Sequence, residues 1–220
     1  MKRYISYIAL MLTGVILVSC HKDNFNYKPG YVGRSKITIY PIITVKGDDY
    51  VLVKKGDTYN DPGATAKAGT EDVEITSTAI NTNASGVYTQ TYTATNADGF
   101  SATATRHVVV YDTDASAASN DFSGNYARST NGSVAEVTKL APGVYSVFNP
   151  GGAPGTNLTV IAFNDTGNDF YIPQQNASDG SPTSSSQESS VSAPGGKLAG
   201  FKWAIVNPTY GPAVRIFNKI

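Results

Sequence analysis

In this 220-residue chain the side chains able to do chemistry are few: one cysteine, Cys20, and two histidines, His21 and His107. A thiolate is a strong nucleophile and a natural acceptor of acyl or alkyl groups. Hydrolysis needs a nucleophile with its base, or paired carboxylates, and a metal centre needs clustered His, Cys, Asp or Glu. His21 adjoins Cys20, and His107 stands alone in a β-rich run, where it reads as a strand-surface or interface residue. No Ser, His and acid set can be assembled, and there is no Gly-x-Ser-x-Gly elbow. The stretch "NPGGAPGTN" lacks the Lys and Ser/Thr pair of a phosphate loop and reads as a surface turn. Asp112, Asp114 and Asp121 offer oxygen ligands without the glycine and bidentate Glu of a calcium loop, so they read as solvated linker acids. The expectation is no catalytic residue, no metal site and no cofactor.

What remains is Cys20. It follows a positive start at Lys2 and Arg3 and a mostly apolar run from Ile5 to Val18, the order of an export signal. That run falls short of the roughly 20 residues of a spanning helix. Leu17, Val18, Ser19 and Cys20 resemble a bacterial lipobox, in which the thiol takes a diacylglyceryl group and the chain is cut so that Cys20 becomes residue one. A buried structural cysteine is the alternative, and the polar "HKDN" that follows argues against it. Two or three acyl chains give stable attachment where one binds only marginally. "HKDN" resembles in part the charged surface-export tag of Bacteroidetes lipoproteins.

Seventeen basic and seventeen acidic residues balance. Removing residues 1–19 takes Lys2 and Arg3 and leaves the remainder at a net charge of −2, which argues against nucleic acid, whose binding needs a basic face. With Cys20 lipidated no thiol is left for disulfides. Richness in Gly, Thr, Ser, Tyr and Val favours strands and turns.

The elements that must position any site divide as follows: a signal over 1–19, lipidated Cys20 and a tether over 20–36, a first β domain over 37–112, a linker over 113–121, and a second β domain over 122–220. In the first, "GVYTQTYTA" places Tyr88, Gln90, Tyr92 and Ala94 on one face, and "NADG" turns the chain into "FSATATRHVVVY" as a hairpin. "KKGDTYNDPGATA" (54–66) with "GVYTQTYTATNADGFSATATRHVVV" (86–110) resembles the bacterial surface immunoglobulin-like domain common in Bacteroidetes lipoproteins. The resemblance implies a spacer or presentation module without catalytic residues. Tyr88 falls where a tyrosine corner would be, and Gln90 where antibody domains carry a disulfide cysteine, so the core is expected to be held by packing alone.

In the second domain "SVAEVTKLAPGVYSVFN" reads as a hairpin, "NLTVIAFN" as a strand buried on both faces, "DFYIPQQ" as a short strand stopped by Pro173, and "AGFKWAIVN" and "AVRIFNK" as a closing pair. The Ser-rich "SDGSPTSSSQESSVS" reads as a mobile loop. The fold class is all-β: an immunoglobulin-like sandwich followed by a small antiparallel barrel or sandwich. "DFSGNYAR", "APGVYSVFNPGGAPG" and "YGPAVRIFNK" resemble the uncharacterised C-terminal domain of lipoproteins found beside SusC/SusD-like glycan-uptake pairs.

Sugars stack on exposed aromatic faces, which makes Trp203, Tyr126, Tyr145, Tyr171 and Tyr210 the candidate ligand-binding residues. Trp203 shares a strand face with Phe201 and Ile205, company that favours a core position. The expected function is a non-catalytic lipoprotein anchored in the outer membrane and exposed on the cell surface. It would bind polysaccharide or glycan-importer proteins and not nucleic acid. The alternative is an adhesion or envelope-structural protein.

Overall fold

The structure, a computed structural model, describes residues 26–32, 35–193 and 195–220. The signal segment and Cys20 lie outside them. Residues up to Ile39 form a unit of their own. In it β1 (Tyr31–Val32) and β2 (Ser35–Lys36) pair antiparallel with exposed side chains.

Tyr40–Ile220 forms the second unit, and it begins with a two-sheet sandwich. One sheet holds β3 (Ile42–Val45), β5 (Ala64–Ala68) and β6 (Glu71–Asp72). The other runs in the order β4 (Tyr50–Lys54), β9 (Ser101–Tyr111), β8 (Gly86–Thr95), β7 (Ile75–Ser77), with β4 parallel to β9. The hairpin expected around "NADG" is present, with Thr95 opposite Ser101. Alternation puts Gln90, Tyr92 and Ala94 inside, opposite Arg106, Ala104 and Ala102. The Tyr88 hydroxyl donates to the Ala84 carbonyl at 2.8 Å, as a tyrosine corner does.

The C-terminal module is a near-closed barrel. Its strands are β10 (Gly124–Arg128), β11 (Val134–Ala141), β12 (Val144–Phe148), β13 (Thr159–Phe163), β14 (Gln175–Asn176), β15 (Pro182–Ala193), β16 (Lys197–Val206) and β17 (Val214–Lys219), hydrogen-bonded in the order β13-β12-β11-β10-β17-β16-β15-β14. Edge strands β13 and β14 would each leave peptide groups bare. A side chain closes much of the gap: Gln175 accepts from the Ile161 amide at 2.8 Å and donates to the Ile161 carbonyl at 2.7 Å, standing in for a peptide group. Phe163 and Tyr171 exchange both backbone bonds on one side of it. On the other side the Ser178 amide donates to Thr159, and the Thr159 amide to the Ser178 hydroxyl. The expected "DFYIPQQ" strand is thus a seam in which only Gln175, the first residue of β14, is regular strand.

The Ser-rich segment is a correction. It forms twelve-residue β15, paired with β16 from Ser184↔Val206 to Ala193↔Lys197. Serine is a poor strand former alone, but the ready-made edge of β16 and the hydroxyl bonds supply what propensity lacks. The Ser185 hydroxyl, for example, receives the Ile172 amide at 2.7 Å. The register slips at a bulge between Ser186 and Ser189, where Gln187 takes a φ of 57°.

The glycine-rich stretch is a second correction. Asn149, Pro150, Gly151 and Gly152 make a turn that is buried across one end of the barrel, while Pro154 and Gly155 form the exposed turn expected of the stretch. The Trp203 indole donates to the Pro150 carbonyl at 2.8 Å, and Arg128 donates to the carbonyls of Gly151 and Gly152. A Cβ on Gly151 would run into the Tyr210 ring, so no larger residue fits there.

The barrel leans on the outer face of the β4-β9-β8-β7 sheet. Val87 and Val109 from that face join Val144, Ile161 and Phe163 in one buried cluster, with Tyr50, Tyr111 and Tyr171 packed around it. This explains β13, which is buried on both faces as its sequence predicts: Val160 and Ala162 point into the barrel core, Ile161 and Phe163 into the shared cluster. Between the modules, α1 (Ala115–Ala118) buries Ala117. Thr113 donates to the Pro142 carbonyl, and the Asp114 amide to Asp165. The Asp112, Asp114 and Asp121 side chains are exposed, and Asp112 pairs with Lys55 at 3.0 Å.

Candidate functional site

Of the five aromatic candidates, three are core residues. Trp203, Tyr126 and Tyr145 are fully buried in the barrel. Trp203 packs 4.5 Å from Phe201 and 5.4 Å from Phe170, ring centre to ring centre. Their polar ends are bonded internally: Tyr126 donates to the Phe122 carbonyl at 2.7 Å and Tyr145 to the Asn120 carbonyl at 2.8 Å. Burial pushes the Tyr145 hydroxyl up to about 12 and raises Tyr126 as well. No sugar reaches these rings: Trp203 holds the core position that its strand face suggests, and the ligand-binding role expected of Tyr126 and Tyr145 is corrected. They fill the space that a ligand-carrying barrel would leave open.

Tyr171 belongs to the cluster between the two modules and donates to Asp165 at 2.8 Å. Burial and the Asp165 carboxylate raise its pKa. His107 lies on the same sheet face, half-buried and stacked on Tyr50 at 5.0 Å. Burial lowers its pKa, against a hydrogen bond with the Asn176 backbone and the charge of Asp49. It is an interface residue.

Tyr210 lines a cleft of about 220 Å³. The loop after β13's predecessor supplies Thr156 and Asn157, the turn before β15 supplies Ser178 and Asp179, and the β16-β17 connection supplies Thr209. One side of the Tyr210 ring is taken by the Arg215 guanidinium, 5.1 Å from its centre, and its hydroxyl bonds the Thr156 hydroxyl at 3.2 Å. Asx turns fix the walls. Asn207 accepts from the Thr209 amide at 2.8 Å and donates to Ser181 and Thr183, both at 2.7 Å. Asp179 Oδ1 accepts from the Ser181 amide and hydroxyl, and these bonds hold the carboxyl below the usual carboxylate range. Asp179, Asn157 and Thr209 are exposed. Sequence reasoning missed these polar residues because each sits in an ordinary turn ("PGTN", "ASDGS", "NPTYG"). Only the barrel's connectivity brings the turns to one rim.

The sandwich holds a second polar group, in its interior. Arg106 is fully buried and donates from Nη1 to Asp61 Oδ1 at 3.0 Å and to the Tyr92 hydroxyl at 3.1 Å. Gln90 donates to Asp61 Oδ2 at 2.8 Å and accepts from Tyr59 at 2.7 Å, and the Tyr92 hydroxyl donates to Asp61 at 2.6 Å. Burial pushes Asp61 up, but bonds from Tyr92, the Gly63 amide and Gln90, with the Arg106 charge, outweigh it and hold the carboxyl low. The expectation of a core held by packing alone is therefore corrected. Where a disulfide would cross the sandwich, an ion pair and its hydrogen bonds do.

Residues 43–110 match the family model for the Ig-like domain of bacterial surface proteins. The chain thus carries a surface-protein Ig-like domain, and the barrel with its cleft lies outside the match. No curated protein matches the chain. Among solved structures the chain is similar to a lipoprotein from Bacteroides thetaiotaomicron, with 22% identity and a TM-score of 0.40 over 82% of this chain and 100% of that one. It is also similar to the M60 catalytic domain with two CBM51 domains of Clostridium perfringens ZmpB, with 12% identity and a TM-score of 0.29 over 84% of this chain and 22% of that one. Within the Ig-like domain, the motif residues Tyr59, Asp61 and Gly63 all serve the interior network. Its charged core is structural, and its outer sheet face is occupied by the barrel.

Proposed function

We propose that the chain is a non-catalytic lipoprotein of the outer membrane, anchored through Cys20, whose Ig-like domain carries the barrel through their shared buried cluster and presents the rim cleft to glycans. Its place is beside a polysaccharide importer. The cleft at Tyr210 carries this reading, because turns from three separate connections converge there with an aromatic ring and several hydroxyl and amide groups, the mixture that binds sugars. The export signal ending at Cys20 supports the address, and the surface-protein Ig-like domain supports a presenting role. Its single deciding experiment is a glycan array and affinity electrophoresis with the full chain. Retention on at least one polysaccharide is expected, and retention on none overturns the reading. The anchor is checked separately: Cys20→Ala should abolish incorporation of labelled fatty acid and release the protein from membranes.

A further inference from the structure

The cleft's charge also bears on which sugars it would take. Asp179 is its one ionised side chain, and neither a lysine nor an arginine lines it. The Arg215 guanidinium, behind the Tyr210 ring, is occupied by the Gly211 and Ala213 carbonyls. Asp179 Oδ1 is committed to Ser181, and apart from its own backbone amide no other group among the described residues donates to the carboxylate. The Asn157 amide and Thr209 hydroxyl are likewise unengaged there. A carboxylate oxygen beside an amide and a hydroxyl accepts strong bonds from sugar hydroxyls or an ammonium and repels a second carboxylate. The volume of about 220 Å³ lies below the ~300–1,000 Å³ of pockets for larger ligands, which suits one ring.

Resting on the glycan-binding reading above, we infer that this rim cleft is a single-ring site for neutral or amino-bearing sugars, and that Asp179 excludes uronic acids and sulfated sugars from it. Hydrogen bonds from Ser181 keep Asp179 charged well into mild acid, so the exclusion holds across ordinary pH. Repulsion of the wrong ligand supplies specificity here in the way that favourable contacts alone do not.

The test is titration of the full-length protein in detergent, followed by ligand-observed NMR, with methyl glucoside, methyl galactoside, N-acetylglucosamine, glucosamine and methyl glucuronide. Neutral and amino sugars should bind at least tenfold more tightly than the glucuronide. Asp179→Asn should shrink that ratio to under threefold, and Asn157→Ala with Thr209→Ala should weaken neutral sugars at least fivefold. These three side chains are exposed, so the variants should keep the wild-type melting curve. That keeps them informative where Tyr210→Ala, packed on the core, can fail to fold. Glucuronide binding as tight as glucoside, or an unchanged ratio in Asp179→Asn, overturns the inference and leaves the glycan reading standing. Binding of no sugar in the panel overturns the inference, and the array result then decides the broader reading on its own.

Discussion

The charged interior of the Ig-like domain is asymmetric, and the asymmetry predicts what substitutions do. Arg106 is wholly buried, while Asp61 keeps about a quarter of its side chain exposed. Asp61 also has other donors in Tyr92, Gln90 and the Gly63 amide, whereas Nε and Nη2 of Arg106 make no hydrogen bond among the described residues. Removing the carboxylate strands a buried cation, which costs about 3–5 kcal/mol. Removing the cation leaves a carboxylate that is still solvated and bonded. Asp61→Asn should therefore lower the urea midpoint more than Arg106→Met does. Because the folded pKa of Asp61 lies below its free value of 3.8, the unfolded chain binds the proton first. The pair's contribution is complete above about pH 3.8 and is lost as pH falls through the lower folded value. Asp61→Asn should flatten that acid limb of the stability curve.

For the elements, the barrel's closure depends on one side chain. Gln175→Ala would leave the buried Ile161 N–H and C=O without partners, a loss of about 2–4 kcal/mol. Hydrogen exchange at Ile161 should accelerate far more than at Val147 on the next strand. Closure around a filled core also makes Trp203 a silent reporter: its emission should stay blue and resist acrylamide, with or without sugar. Much of this was legible in the sequence. Apolar alternation marked β8 and β9, and unbroken apolar runs marked β13. "HVVVY" carries the same two-sided signal, since Val109 faces the barrel while Val108 and Val110 face the sandwich core. What stayed hidden depended on the setting each segment enters, next door in the chain for the Ser-rich strand, which forms a hairpin with β16, and farther away for the seam and the rim. A Ser-rich strand is set by the edge it joins, a glutamine seam by two strands ending side by side, and a polar rim by three turns meeting in space.

In the molecule as a whole, the contact between the two modules links stability to pH. His107 lies in it against Tyr50, with Asp49 and the Asn176 backbone opposing its desolvation, and its pKa is below the free value of 6.5. Between those values the unfolded chain carries more protons, so stability is complete above about pH 6.5 and declines as pH falls toward the folded value. Melting temperature should drop between pH 7.5 and 5.5, and His107→Gln should make the drop smaller. The same contact has a practical corollary. Val87 and Val109 on one side and Ile161 and Phe163 on the other are dry only because each pair covers the other. A gene fragment stopped at 112, or begun at 122, would carry a greasy scar. Such halves should clump when made alone, and grafting the barrel onto a foreign carrier would require bringing the opposing valines with it.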